Sequence, residues 1–225
     1  MLRVRQIYYK NTQLHFNMRD TNDFIPLFNP RSNHLLESGV IKKMYEEQDY
    51  NDCEYYGVVS HKFYKKIHKT SSYVKYQIEN YQTKPDVFSF FEKNPKLNLV
   101  NQGNTWHSLF SDIYVRLAKV LEWDIDITNP RHKMEGIYSN HWIAKSEVYE
   151  EYCKNYLIPV INALESDKKL NRMVWSDSNY ISHDRLNAEQ CKKIFNRPYY
   201  TYHCFILERL FPIFCYLEEK TVCHI

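Results

Sequence analysis

Apolar and polar side chains first alternate in RVRQIYY, which predicts an opening β-strand over Leu2–Tyr9. FIPLFNP follows at 24–30, where Pro26 and Pro30 punctuate apolar residues in the manner of an irregular loop. Leu36, Val40, Ile41 and Met44 recur at helical spacing and predict a first helix over Leu35–Glu47. The β-branched and aromatic run YYGVVS, 55–60, reads as a central strand. It delivers the basic stretch HKFYKK to its end, where open α/β sheets place ligands. A helix over 72–81 and a short strand in DVFSFF, behind Pro85, come next.

From Trp106 to Leu121 the residues Leu109, Ile113, Leu117, Val120 and Leu121 fall on one helical face. Thr105 stands where a cap for that helix would be. The run IYSNHWIA, 137–144, reads as another strand. Ser146 then fits as the N-cap of a helix carrying Tyr149, Tyr152, Cys153, Tyr156 and Leu157, with Glu147, Glu150 and Glu151 complementing its positive end. Pro159 should kink or interrupt this helix before VINALE continues it. Residues 171–197 are polar and weakly patterned, as in a lid or an insertion, and Tyr202–Glu218 is strongly apolar apart from Glu208 and Arg209. Strands and helices interleave with no linker or repeat, which predicts one α/β domain over 1–225.

Composition narrows the function classes. Hydrophobic residues at 44% and charged residues at 25% suit a folded globular chain. Thirty Lys and Arg against 27 Asp and Glu leave a charge of +3, too little for a dedicated nucleic-acid binder. Only four glycines are present, at 39, 57, 103 and 136, so neither a phosphate-binding P-loop nor a GxGxxG turn can be written. No two cysteines form CxxC and none has a zinc-finger histidine. The N-terminus lacks the apolar core of a signal peptide and no stretch reaches the roughly 18 apolar residues of a membrane span, so a reducing cytoplasm is expected. Aromatics are abundant, with 20 Tyr, 12 Phe and four Trp. Those outside the core could stack on a sugar ring.

Several polar groups interrupt the apolar pattern. Ser60, His61 and Lys62 offer a hydroxyl, an imidazole and an ammonium at one strand end, a set that suits a diphosphate, and Gly57 would permit close backbone approach. Lys62, Lys65 and Lys66 read equally as a solvated helix face. Asp124 and Asp126 form a DxD, whose paired carboxylates could hold a divalent ion that bridges a diphosphate, but the motif is short enough to be structural. Trp106 and His107 sit where a helix start would favour an anion and an indole could pack on a sugar, or they serve as a core anchor and a surface residue. Ser139, Asn140 and His141 break an apolar strand and mark either a satisfied core network or a binding edge, with His141 a candidate base. Glu208 and Arg209 sit within an apolar helix, where Glu208 could deprotonate an attacking hydroxyl; alternatively the two, which do not face each other, form buried or interfacial ion pairs with other neighbours.

Taken in order, FIPLFNP, YYGVVSHKF, DVFSFF, NQGNTWHSL, YSNHWIAKSEVYEEYC and YHCFILERLF resemble the landmarks of a family of bacterial glycosyltransferase-like proteins from surface-polysaccharide clusters. The family pattern runs yyGffSpKF, DvylFsP, Wh, SNyfvAK and mERL, and the resemblance spans roughly 24–212. It implies a GT-A-like, Rossmann-related single domain with a mixed central sheet flanked by helices. It further implies transfer of a sugar from a nucleotide diphosphate-sugar to a glycan or lipid-linked glycan acceptor, with Mn or Mg as the divalent ion.

By position, Gly57, Ser60, Lys62 and Phe63 match the first motif, Asp86 the second, and Trp106 and His107 the third. Ser139, Asn140, Ala144 and Lys145 match the fourth, and Glu208 and Arg209 the last. His61 replaces the usual Pro, and Glu92–Pro95 replaces a tighter turn after DVFSFF. The catalytic candidates are therefore Glu208 as base, Asp86 and His141. Gly57, Ser60, His61, Lys62, Trp106, His107, Ser139, Asn140 and Arg209 are the binding candidates, and Asp86 is the candidate for holding a metal. No nucleic acid partner and at most peripheral membrane association are expected. The alternative is a catalytically silent interaction module of a polysaccharide or modification complex.

Overall fold

A computed structural model of the chain describes residues 1–10, 23–30, 33–90, 97–137, 139–180 and 186–225. The protein is α/β, with six strands in one mixed sheet between two helical layers. In chain order the strands are β1 (Leu2–Tyr8), β2 (Ile25–Phe28), β3 (Tyr55–Val59), β4 (Val87–Ser89), β5 (Trp142–Lys145) and β6 (Val222–His224). Their spatial order is β2-β1-β3-β5-β4-β6. β1 runs parallel to both β2 and β3, β5 runs antiparallel to β3 and β4, and β6 is parallel to β4.

The helices are α1 (Glu37–Glu46), α2 (Phe63–Ile67), α3 (Ser71–Asn80), α4 (Leu99–Trp106), α5 (Phe110–Val120), α6 (Ser146–Tyr152), α7 (Ile158–Ser166), α8 (Lys168–Val174), α9 (Ala188–Phe195) and α10 (His203–Leu217). α2 and α3 cover one sheet face, where Phe63, Ile67, Val74 and Ile78 pack with Val4, Tyr55 and Val59. The larger core lies on the other face and takes residues from α1, α5, α6, α7 and α10. Every residue of β3 is buried, as expected of a strand covered on both sides. Tyr55 serves one core and Tyr56 the other, because successive side chains point to opposite faces. Trp142 of β5 stacks on Phe211 of α10 with ring centroids 3.6 Å apart and planes at 2°.

Several elements depart from the pattern read in the sequence, each for a local reason. FIPLFNP contains β2, because an edge strand has a free side on which Pro26 needs no amide hydrogen. The helix expected from Trp106 is two helices that break at His107–Leu109. α4 is capped by Asn98 and carries Thr105 inside it, and Gly103 is required where Phe110 packs, since a Cβ there would lie 2.4 Å from the ring. Ser146 is the first helical residue and not a side-chain cap; its hydroxyl donates to the Cys53 carbonyl at 2.7 Å. Pro159 does not break the α6–α7 run, because a π-helical turn at Cys153–Leu157 directly before α7 widens the backbone there. Residues 171–197 hold the end of α8 and all of α9, and 181–185 lie outside the described residues, as do Tyr138 and Glu92–Pro95. Among the described residues, no helix is long and apolar enough to cross a membrane.

Candidate functional site

The chain passes from β1 to β2 on one side and then to β3 on the other, so a crevice opens between the carboxyl ends of β1 and β3. A cavity of about 350 Å³ lies there. Tyr9 follows β1 and Ser60, His61 and Lys62 follow β3, while Ser139 and Asn140 enter from the segment leading into the antiparallel β5. α1 contributes Glu37 and α10 contributes Phe205 and Glu208. Tyr180 and Tyr200, 4.9 Å apart by ring centroid, add an aromatic wall that continues onto Phe205.

Two carboxylates are held by two neighbouring residues. The Ser139 amide and hydroxyl donate to Glu208 Oε1 at 3.0 and 3.1 Å, and the Asn140 amide donates to Glu37 Oε2 at 3.2 Å. Ser139 and Asn140 both adopt left-handed backbone, with φ of 57° and 52°. Leu36, at the entry to α1, has φ 50° and ψ −121°. Such conformations are disfavoured for residues with a side chain and are found where a site over-determines the backbone.

Glu37 also accepts from the Tyr9 hydroxyl at 3.3 Å and from Ser60. Its enclosure by protein raises its pKa despite a partial opening to the cavity, and the hydrogen bonds from Ser60 and Asn140 oppose the rise. The negative charge of Glu208 raises it further and the ammonium of Lys66 lowers it. Lys66 Nζ donates to the Ser139 hydroxyl at 2.8 Å. The cavity therefore combines the carboxylate pair with amide and hydroxyl groups and with two lysines, of which Lys66 stands one hydroxyl away from Glu208. That mixture of ammonium, amide, hydroxyl and carboxylate groups suits a polar ligand that carries both anionic and hydroxyl groups.

Of the residues singled out in the sequence, the cavity gathers Ser60, His61, Lys62, Ser139, Asn140 and Glu208. The others stand elsewhere. Gly57 lies within β3, where a Cβ would approach Ile143 Cγ1 to 2.7 Å and the Trp142 carbonyl oxygen to 3.0 Å, so it serves strand packing rather than ligand approach. Asp86 precedes β4 at the opposite end of the sheet, bound to Lys145 and Thr221. His141 is wholly buried against Phe63, and burial, reinforced by Lys66, pushes its pKa down to about 3, so it is a neutral core residue. Trp106 is 67% exposed and outside the cavity lining. His107 is buried behind that lining. Its Nδ1 pairs with the Ser178 carbonyl at 2.9 Å and its ring lies 4.1 Å from Phe205, so it braces the aromatic wall. Arg209 points away from its neighbour Glu208, donating to Gln102 and lying 5.1 Å from the Phe110 ring.

Glu37, Tyr9, Tyr180 and Tyr200 are cavity residues that the sequence pattern did not single out, and Lys66 reads there only as part of a solvated helix face. An acidic residue opening a helix is the ordinary complement to the helix dipole, so Glu37 carries no distinguishing signal. Lys66 lies one helical turn after Lys62, and that spacing is the only hint to it.

A wider cleft of about 490 Å³ lies beside the end of α10 and β6, and Asp124 of the DxD lines it. Of its charged groups, Glu135 pairs with His224 and Lys220 with Glu151, both partners outside the lining, and the cleft touches the carboxyl end of no central strand. Asp126 closes a turn by accepting from the Thr128 hydroxyl at 2.8 Å. Compared with protein-family models, with curated proteins and with solved structures, the chain gives no match.

Proposed function

We propose that this protein is a glycosyltransferase of GT-A-like architecture that moves a sugar from a nucleotide diphosphate-sugar to a hydroxyl of a glycan or lipid-linked glycan, in surface-polysaccharide synthesis. The observation that carries this reading is the cavity between β1 and β3, where Lys62 and Lys66 share one chamber with Ser60, Asn140 and the Glu37–Glu208 pair. Ordered sequence landmarks and a mixed sheet with one antiparallel strand among parallel ones support it further.

In this reading Ser60, Lys62 and Lys66 receive the donor diphosphate. Tyr180, Tyr200 and Phe205 flank the sugar, and Asn140 fixes one of its hydroxyls. The acceptor oxygen forms a bond to the anomeric carbon as the bond from that carbon to the diphosphate oxygen breaks, and the electron pair leaves with the diphosphate. The acceptor proton passes to a carboxylate of the pair. Glu208 is the base by family position, and Glu37 stands beside it with a raised pKa that makes it a stronger proton acceptor than an ordinary carboxylate. Asp86, the carboxylate that the resemblance offers to a divalent ion, has both oxygens engaged by Lys145 and Thr221, a cationic and donor-rich setting that does not suit a metal. No step is routed through it.

The test is a panel of nucleotide sugars, with and without manganese, read by thermal shift and by donor hydrolysis. Stabilisation by one donor class with slow release of nucleoside diphosphate is expected. Silence across the panel removes the assignment.

A further inference from the structure

The helices α2 and α3 turn one side to the sheet and, among the described residues, leave most of the other exposed, with Asp23 bound to Ser72 and Lys75. Phe63, Ile67, Ser71, Val74 and Ile78 are buried, while Tyr64, Tyr73 and Tyr76 are 44%, 46% and 62% exposed. These three are among only eight large hydrophobic side chains left exposed in the described residues, and they fall within thirteen positions of one another. The charge of this segment has one sign. Residues 62–84 contain Lys62, Lys65, Lys66, Lys69, Lys75 and Lys84 against Glu79 alone, in a chain whose overall charges nearly balance. Lys75 and Lys84 are paired with Asp23 and Glu54. Lys65, Lys66 and Lys69 form no ion pair among the described residues; Lys69 lies 5.9 Å from the Tyr73 ring.

We propose that this outer face docks on the surface of a membrane that carries anionic lipids. Lys and Tyr combine apolar bodies with polar tips and suit the headgroup boundary, where each lysine gains from the negative surface potential. The cations are all lysines and include no arginine, so they act as point charges toward a diffuse anionic surface rather than as forks that clasp individual phosphates. A nucleic acid would call for a stronger basic footprint than the near-neutral chain provides. The face is continuous with the candidate site, because Lys66 belongs to α2 and also lines the cavity. Docking would hold the cavity rim at the bilayer surface, where a lipid-linked acceptor is presented. That consequence rests on the transferase reading, whereas the docking itself does not.

The test is co-sedimentation of the full chain with phosphatidylcholine vesicles and with vesicles that also contain phosphatidylglycerol. Binding to the anionic vesicles alone, weakened by added salt, is expected. The double variant Lys65→Gln/Lys69→Gln lies outside the cavity and should lower that binding about thirtyfold, at about 1 kcal/mol for each lysine. It should leave circular dichroism and any nucleotide-sugar binding unchanged. Tyr73→Ser/Tyr76→Ser should weaken binding while the salt dependence persists. Absence of binding to anionic vesicles at low salt overturns the proposal, as does binding indifferent to both double variants. It is equally overturned if single-stranded RNA binds more tightly than the vesicles and loses affinity in the lysine variant.

Discussion

Replacing Asp86 separates a structural latch from a catalytic carboxylate. Thr221 donates to Asp86 Oδ2 through its hydroxyl at 2.7 Å and its amide at 2.9 Å, and Lys145 donates to Oδ1 at 2.9 Å. The Asp86 amide in turn donates to the Thr221 hydroxyl at 2.9 Å, so this one side chain ties the start of β6 to the start of β4. A hydrogen bond to a charged group contributes roughly 1.5–3 kcal/mol when buried, and a partly exposed ion pair contributes at most about 1 kcal/mol. Because the Asp86 and Lys145 side chains are 24% and 26% exposed, low values apply. Asp86→Ala should cost about 3 kcal/mol. Asp86→Asn, whose amide oxygen still accepts from Thr221, should cost about 1 kcal/mol. Burial raises the Asp86 pKa, but the hydrogen bonds from Thr221 and Lys145 outweigh it and leave the group below its ordinary 3.8. Its contribution is therefore complete above that value and fades as pH falls through the lower folded pKa. Urea unfolding followed by tryptophan fluorescence measures both variants, and hydrogen exchange at 222–224 reports the loosening of β6. Unchanged stability in Asp86→Ala together with loss of donor turnover would refute this reasoning and return Asp86 to the active site.

Three further outcomes follow from the same structure. Because burial and the Glu208 charge raise the Glu37 pKa above 4.5, the native state holds that proton more tightly than the unfolded chain, and stability is lost as pH rises through the interval. Glu37→Gln should accordingly be more stable than the parent at neutral pH, with the gain vanishing below 4.5, and equal urea midpoints at neutral pH would contradict the assignment. Gly57→Ala forces a Cβ against Ile143 and the Trp142 carbonyl. It should cost about 1–2 kcal/mol after the entropy gain of alanine while leaving ligand affinity of the folded protein intact; reduced affinity at full stability would restore a ligand-side role. Trp106→Ala, at a 67% exposed position, should change stability by less than about 0.5 kcal/mol and leave donor binding alone, which a thermal-shift comparison with the parent checks.

Much of the fold was legible from periodicity. The strand at 55–59 announced itself because a doubly covered strand is apolar throughout, and α1 and α5 because their apolar residues repeat at helical spacing. β2 was hidden by Pro26, whose missing amide hydrogen matters only if the strand has a neighbour on that side. α4 was hidden by its polar residues and Gly103, which answer to the distant ring of Phe110. At the site, Ser60, Ser139, Asn140 and Glu208 were visible because polar groups interrupt apolar runs there. Asp86 stood out through the family resemblance and Gly57 as a glycine beside a polar strand end, yet their partners are Thr221, Lys145 and Ile143, far along the chain. Glu37 escaped notice because its setting is made by Tyr9, Ser60, Asn140 and Glu208, and no local pattern encodes the meeting of five segments.

On the proposed function, the chamber between the carboxyl ends of β1 and β3 is where the donor should bind. A crystal soaked with a nucleoside diphosphate tests it most directly. The diphosphate is expected against Ser60, Lys62 and Lys66, with the Glu37–Glu208 pair facing the position the sugar would fill. A diphosphate bound at the Asp86–Thr221 end of the sheet, or a cavity left empty at saturating nucleotide, would contradict it.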